Sequence, residues 1–139
     1  MDISRRTVLT SAMVATASRA WGATSGTGPT LRIGLINDQS SAYRDNGGQG
    51  SVACAKQAIA DYADKLGLTV ELLVADHQNK ADVGLTIARQ WFDQGVDVLA
   101  DIQGSAVGLA LSGLAKERDK VILICNAAVT DLTGSQKIG

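Results

Sequence analysis

The chain reads as an α/β protein built on a doubly wound parallel sheet, and three observations lead there. Short apolar runs alternate with stretches of helical period, turn-forming residues separate them, and each helical stretch is long enough to return the chain across a sheet face. With 139 residues there is room for one such domain and too little for two.

The first strand is predicted at Leu31 to Ile36, a short branched run that ends where Asn37-Asp38 begins a turn. From Ser51 onward Val52, Ala55, Ile59, Tyr62 and Leu66 recur at steps of three and four, with Lys56, Asp61, Asp64 and Lys65 off that stripe. That pattern predicts a one-sided helix closed by Gly67. Gly47-Gly48-Gln49-Gly50 has neither phosphate-cradling glycine spacing and reads as the start of this helix.

Thr69 to Ala75 is the second strand, and Asp82 to Gln94 the second helix, with Ile87, Ala88 and Trp91 on one face and Gly95 behind it. Val96 to Ile102 follows as a strand. Ser105 to Arg118 is a helix with Val107, Ala110, Leu111 and Leu114 inward, and Val121 to Cys125 is the fourth strand.

Right-handed crossovers make these strands parallel. The third and fourth are almost continuously apolar, which predicts cover on both faces, whereas Glu71 marks the second as an edge, so the expected order is 2-1-3-4. A stretch rich in small and polar residues, Asn126 to Gly139, follows the fourth strand with no further helix, and the unit is read as incomplete.

The N-terminus reads as an address. Arg5 and Arg6 precede a mildly apolar run, Val8 to Ala17, and small residues surround Ser18-Arg19-Ala20 and Ala20-Trp21-Gly22. Residues 1–22 resemble a twin-arginine export signal and 23–30 a flexible leader, with 31–139 as the fold. The run is interrupted by Thr10, Ser11 and Thr16, short of the roughly 20 apolar residues a membrane span needs. No cysteine follows it, so the expected product is periplasmic and without a lipid anchor. The competing reading is a cytosolic protein with a basic tail.

Apolar residues at 45% and charged ones at 19% supply a core and exclude a disordered chain. Net charge is −1, and −3 without the first 22 residues, which carry Arg5, Arg6 and Arg19 against Asp2. Nothing in that balance attracts nucleic acid.

In open α/β sheets a ligand sits beyond the carboxyl ends of the strands where neighbouring connections leave on opposite faces, here between strands one and three. Gln39 to Gly48, Gln103 to Ala106 and Asn126 to Thr130 converge on that point. Ser105 opens the third helix, where backbone N–H groups favour a carboxylate, although capping alone accounts for a serine there. The Tyr43 ring either covers an apolar ligand group or packs on its own loop. Asp38, Asp76 and Asp101 end three strands; they read as turn and cap residues rather than as a cation pocket. His77, the one histidine, reads as a solvated loop residue, and Cys54 and Cys125 as two small buried thiols for which a disulfide is permitted but not indicated. No catalytic residue, metal or cofactor is expected.

The carriers of a family likeness are Arg32-Ile33-Gly34-Leu35-Ile36, Asp38-Gln39-Ser40-Ser41-Ala42-Tyr43, Gly47-Gly48 and Ala75-Asp76-His77-Gln78-Asn79-Lys80. To these are added Gly95-Val96-Asp97-Val98-Leu99, Gly104-Ser105-Ala106 and Ala127-Ala128-Val129-Thr130-Asp131-Leu132-Thr133-Gly134. In that order the chain resembles the type I periplasmic solute-binding proteins of branched-chain amino-acid (Leu/Ile/Val) ABC transporters. The resemblance implies the N-terminal lobe of a two-lobed protein that closes on its ligand and delivers it to a membrane permease. It implies ligand roles for Ser105, Ala106 and Ala128, and Ser41, Tyr43, Gly104, Ala127, Val129 and Thr130 in the same loops are the further ligand-binding candidates. Val129 stands where the family has a threonine, which points toward aromatic carboxylates or amides as the alternative ligands. A receptor's sensing lobe shares the fold, and an exported redox enzyme is the rival of another class, but no Cys cluster, haem motif or dinucleotide fingerprint appears.

Overall fold

The computed structural model describes residues 28–134. The export signal and most of the leader expected at the N-terminus lie outside them. The strands are β1 (Thr30–Asn37), β2 (Thr69–Asp76), β3 (Val98–Gln103) and β4 (Val121–Asn126). Between them lie α1 (Gly48–Tyr62), α2 (Ala81–Asp93) and α3 (Ser105–Arg118), with single 3-10 turns at Arg44–Asn46, Asp64–Leu66 and Thr130–Leu132. All strand pairs are parallel and the order is β2-β1-β3-β4, as the sequence predicts.

Right-handed crossovers in this order put α1 on one face and α2 with α3 on the other. The main core lies under α2 and α3, where Ile36, Leu73, Leu99 and Ile102 of the sheet meet Ala88, Trp91, Phe92, Val107, Leu111 and Leu114. Gly34 has no side chain because the Trp91 ring lies against it; a methyl group there would stand 2.5 Å from Trp91 Cε3. Gly67, at φ +65, closes the turn before β2 in the left-handed conformation expected of a helix-ending glycine. Along the β1–β2 register Arg32 faces Glu71, and their side chains pair at 2.8 Å.

Three expectations are corrected. The α1 stripe stops early: Val52 is buried, but Tyr62 and Leu66 are 58% and 67% exposed, since α1 ends at Tyr62 and the following 3-10 turn has a different period. β4 is not covered on both faces. Ile122 and Ile124 pack under α3, whereas Val121 and Leu123 are exposed, because β4 is a sheet edge and no described element lies over its α1-side face. Both cysteines are free and exposed, Cys54 because it lies off the inward stripe of α1 and Cys125 because it continues the uncovered face of β4.

β3 also carries a bulge. Leu99 pairs with Ile122 and Ile102 with Ile124, so β3 holds one extra residue, and Asp101 takes it up at φ +58. The bulge turns the Asp101 carboxylate to the Asn37 amide, 2.8 Å away, and ties β3 to β1 at the end of the sheet where the loops gather.

Candidate functional site

Loops from all four strands meet at the carboxyl edge of the sheet. The loop after β1 is wound on Asp38. Its carboxylate accepts the N–H groups of Ser40, Ser41 and Tyr43 and, at 2.5 Å, the Ser41 hydroxyl. Burial opposes ionisation of Asp38, but the Ser41 hydroxyl and the N–H groups of Tyr43, Ser41 and Ser40 outweigh it and hold the carboxyl below its ordinary 3.8. At Asp76 burial is again the largest effect and opposes ionisation. The Gln39 N–H, the Ser40 hydroxyl and the Gln78 N–H overcome it, against repulsion from Asp38, and the carboxyl is likewise lowered. Both aspartates therefore do turn work, and among the described residues no acidic, histidine or cysteine group is gathered to hold a metal.

His77 corrects the expectation of a solvated residue: it is 0% exposed. Its N–H donates to the Asn37 carbonyl, which draws the residue under the loops, and its Nδ1 accepts the Asn79 N–H at 2.9 Å. Burial lowers its pKa below 6.5, outweighing the charges of Asp38, Asp76 and Asp101. The sign of the stability effect follows from proton binding. A histidine with a depressed folded pKa takes up its proton more readily when unfolded, so it destabilises the fold as pH falls through 6.5. The two aspartates contribute stability above 3.8 that is lost as pH falls further, through their folded values. Urea midpoints are thus expected to descend in two stages on acidification; a flat profile through the histidine range would contradict the buried neutral imidazole.

Ser105 is the first residue of α3, not its cap. Gly104 takes the cap position at φ +81, and no side chain caps the helix. The Ser105 hydroxyl instead accepts the Ala128 N–H at 3.2 Å, while the Gly104 N–H donates to the Asn126 carbonyl, so the loops after β3 and β4 are joined twice. Tyr43 is 38% exposed, and its ring edge approaches Gly104: a methyl group there would lie 3.9 Å from Tyr43 Cε2. Tyr43, Gly104, Ser105 and Ala128 are thereby brought to one mouth.

The other expected residues are placed differently. The Ser41 hydroxyl donates its hydrogen bond to Asp38, leaving its oxygen only as an acceptor. Ala106 is exposed on the first turn of α3. Ala127 and Val129 turn toward α3 and, with Ser112, Ile122, Ile124 and Leu132, line a hollow of about 280 Å³ between α3 and β4. Thr130 is exposed and opens the last 3-10 turn, its carbonyl accepting the Thr133 and Gly134 N–H groups.

Two residues at this edge were given no ligand role by the sequence, although Gln103 opens one of the converging segments. Gln103, 1% exposed, accepts the Asp38 N–H on its side-chain oxygen, and Asn79 holds its Oδ1 where a methyl group on Gly104 would be only 2.7 Å away. Their one signal in the sequence is position, since each lies at or just after a strand's carboxyl end.

This fold is found among known proteins. The family model described as "Periplasmic binding protein" matches residues 30–138. The chain belongs to the periplasmic binding protein family.

A branched-chain amino acid ABC transporter periplasmic ligand-binding protein from Burkholderia xenovorans is 42% identical, with a TM-score of 0.71 over 76% of this chain and 29% of its own. A periplasmic binding protein from Burkholderia mallei is 37% identical, with a TM-score of 0.71 over 77% of this chain and 29% of its own. A Rhodopseudomonas palustris solute-binding protein, solved with 3,4-dihydroxybenzoic acid, shares the fold at 21% identity, with a TM-score of 0.68 over 75% of this chain and 29% of its own. The chain thus spans just under a third of the length of these periplasmic binding proteins. No curated protein gives a significant match.

Proposed function

We propose that the full-length protein is the extracytoplasmic solute-binding component of an ABC importer. It holds a small carboxylate-bearing ligand, a branched-chain amino acid or a relative of one, between two lobes and hands it to a membrane permease. Residues 1–22 serve as its export signal, and the mature protein works in the periplasm. In this reading the ligand is bound and released unchanged, with no cofactor and no nucleic acid.

The observation that carries the reading is the start of α3. Its first turn has no side-chain cap, so its N–H groups are oriented toward the mouth together with the positive end of the helix dipole. The Ser105 hydroxyl, fixed by the Ala128 N–H, stands beside them, and the Tyr43 ring supplies an apolar wall. A carboxylate suits that set, and the likeness to the Burkholderia xenovorans protein supports the branched-chain class. The second reading, aromatic carboxylates or amides, rests on the resemblance alone, in which Val129 replaces a threonine; the Val129 side chain itself lines the hollow between α3 and β4.

A thermal-shift screen of the full-length protein against branched-chain amino acids, amides and aromatic acids tests the proposal. Ligand at a hundredfold excess over its Kd adds about 2.7 kcal/mol of stability, a shift of several degrees. Ser105→Ala is expected to weaken binding of the responding class by about 1 kcal/mol or more, through loss of a hydrogen bond to a charged group. An unchanged Kd by calorimetry would leave Ser105 as a link between loops only.

A further inference from the structure

We propose that Asn79 is a further ligand contact of this mouth, and that buried, neutral His77 is the positioning residue that holds it there, so that ligand affinity falls on acidification. The inference rests on the solute-binding reading above and extends it to the loop after β2.

Gln78 and Asn79 both sit at φ +53, in the left-handed region that side-chain-bearing residues enter reluctantly. Two such residues in succession persist only where neighbours hold them. The bonds that do so are short and converge on two residues, Asp76 and His77. The Gln78 N–H donates to Asp76 Oδ1 at 2.7 Å, the Asn79 N–H to His77 Nδ1 at 2.9 Å, and the Lys80 N–H to the His77 carbonyl at 2.9 Å.

The conformation aims the Asn79 carboxamide at Gly104, on the site from which the Tyr43 ring edge also approaches. Gly104 leaves room for both groups and is followed directly by Ser105. A carboxamide there offers a donor and an acceptor next to the proposed carboxylate seat.

Accepting the Asn79 N–H requires Nδ1 to be without a proton, so the imidazole proton is on Nε2, a buried atom with no protein partner. Charging the ring puts a second proton on Nδ1, where it meets the Asn79 N–H donor head on, and the turn loses the bond that holds it. The charged groups acting on the ring are Asp38 after β1, Asp76 on β2 and Asp101 on β3; from α2 the neighbour is Gly84. The aspartates favour the charged ring and burial opposes it, with burial prevailing.

The test is calorimetry on the full-length protein with L-leucine and benzoate, both anionic at their carboxyl groups at about pH 8 and at about pH 5.5, on either side of the histidine range. Asn79→Ala is expected to weaken the probe that binds by about fivefold or more at the higher pH, the loss of one hydrogen bond to a charged group. The wild type is expected to weaken again at the lower pH. His77→Asn keeps an acceptor near the Nδ1 position without a titrating proton, so it should retain affinity at the higher pH and lose the acid dependence.

Wild-type affinity in Asn79→Ala, or an undiminished acid dependence in His77→Asn, overturns the inference. If neither probe binds the wild type at either pH, the functional reading fails for both ligand classes, and the contact assigned to Asn79 fails with it. The positioning role is then judged separately by nitrogen NMR. An Nε2–H tautomer whose titration moves the Asn79 amide resonance supports it, and an Nδ1–H tautomer or an indifferent Asn79 amide refutes it.

Discussion

Trp91→Ala is expected to destabilise the lobe by about 3–5 kcal/mol, a large share of the roughly 5–15 kcal/mol that holds a domain together. The indole is 8% exposed and belongs to the cluster that joins α2 to the sheet and to α3. It also covers the bare backbone of Gly34, so its removal opens a void that reaches the central strand. Gly34→Ala should cost about 1–3 kcal/mol for the opposite reason, overpacking: the added methyl group would meet Trp91 and, at 2.8 Å, Leu99 Cδ2. The double variant should be more stable than the sum of the two losses implies, because the vacated indole space accepts the methyl group. Urea denaturation of the four proteins measures this coupling. Strict additivity would mean that ring and glycine do not share the space assigned to them.

Gly104→Ala is expected to weaken ligand capture by about tenfold or more. Gly104 holds φ +81 and ψ 130, a region almost closed to residues with a Cβ, at a cost of about 1–3 kcal/mol. The methyl group would also stand 2.7 Å from Asn79 Oδ1. Relief requires the start of α3 or the turn after β2 to move, and either movement separates Ser105 from the groups across the mouth. Calorimetry with the ligand found by the screen checks this. Wild-type affinity in a folded Gly104→Ala protein would show that the ligand is held elsewhere.

Much of the architecture was legible because it depends on local pattern. The α3 boundaries, Ser105 and Arg118, agree with the sequence reading because Gly104 precedes the helix and a left-handed Asp119 ends it. The strand order was readable from the contrast between the apolar third and fourth strands and the second, whose Glu71 marks an edge and pairs with Arg32. β4 misled because an apolar run does not say whether one face or two are covered. Tyr62 and Leu66 misled because a helical stripe carries no mark of where α-helix becomes 3-10 turn.

At the candidate site the sequence named the loops and several of their residues, but not which atoms they would use. Ser105 was expected to cap a helix or touch a ligand; the fold gives its oxygen to the Ala128 N–H, 23 residues away in sequence.

The amino-acid sequence alone determined the alternation of strands and helices, their parallel course and the sheet edge at which a site can form, because periodicity and crossover handedness act over a few neighbouring residues at a time. Only the tertiary structure decided that His77 is buried with its Nδ1 accepting a hydrogen bond, that Asp101 takes up a bulge, and that Asn79 and Tyr43 both approach Gly104. Those outcomes depend on desolvation and close approach between segments far apart in the chain, quantities that exist only once the strands have been laid side by side.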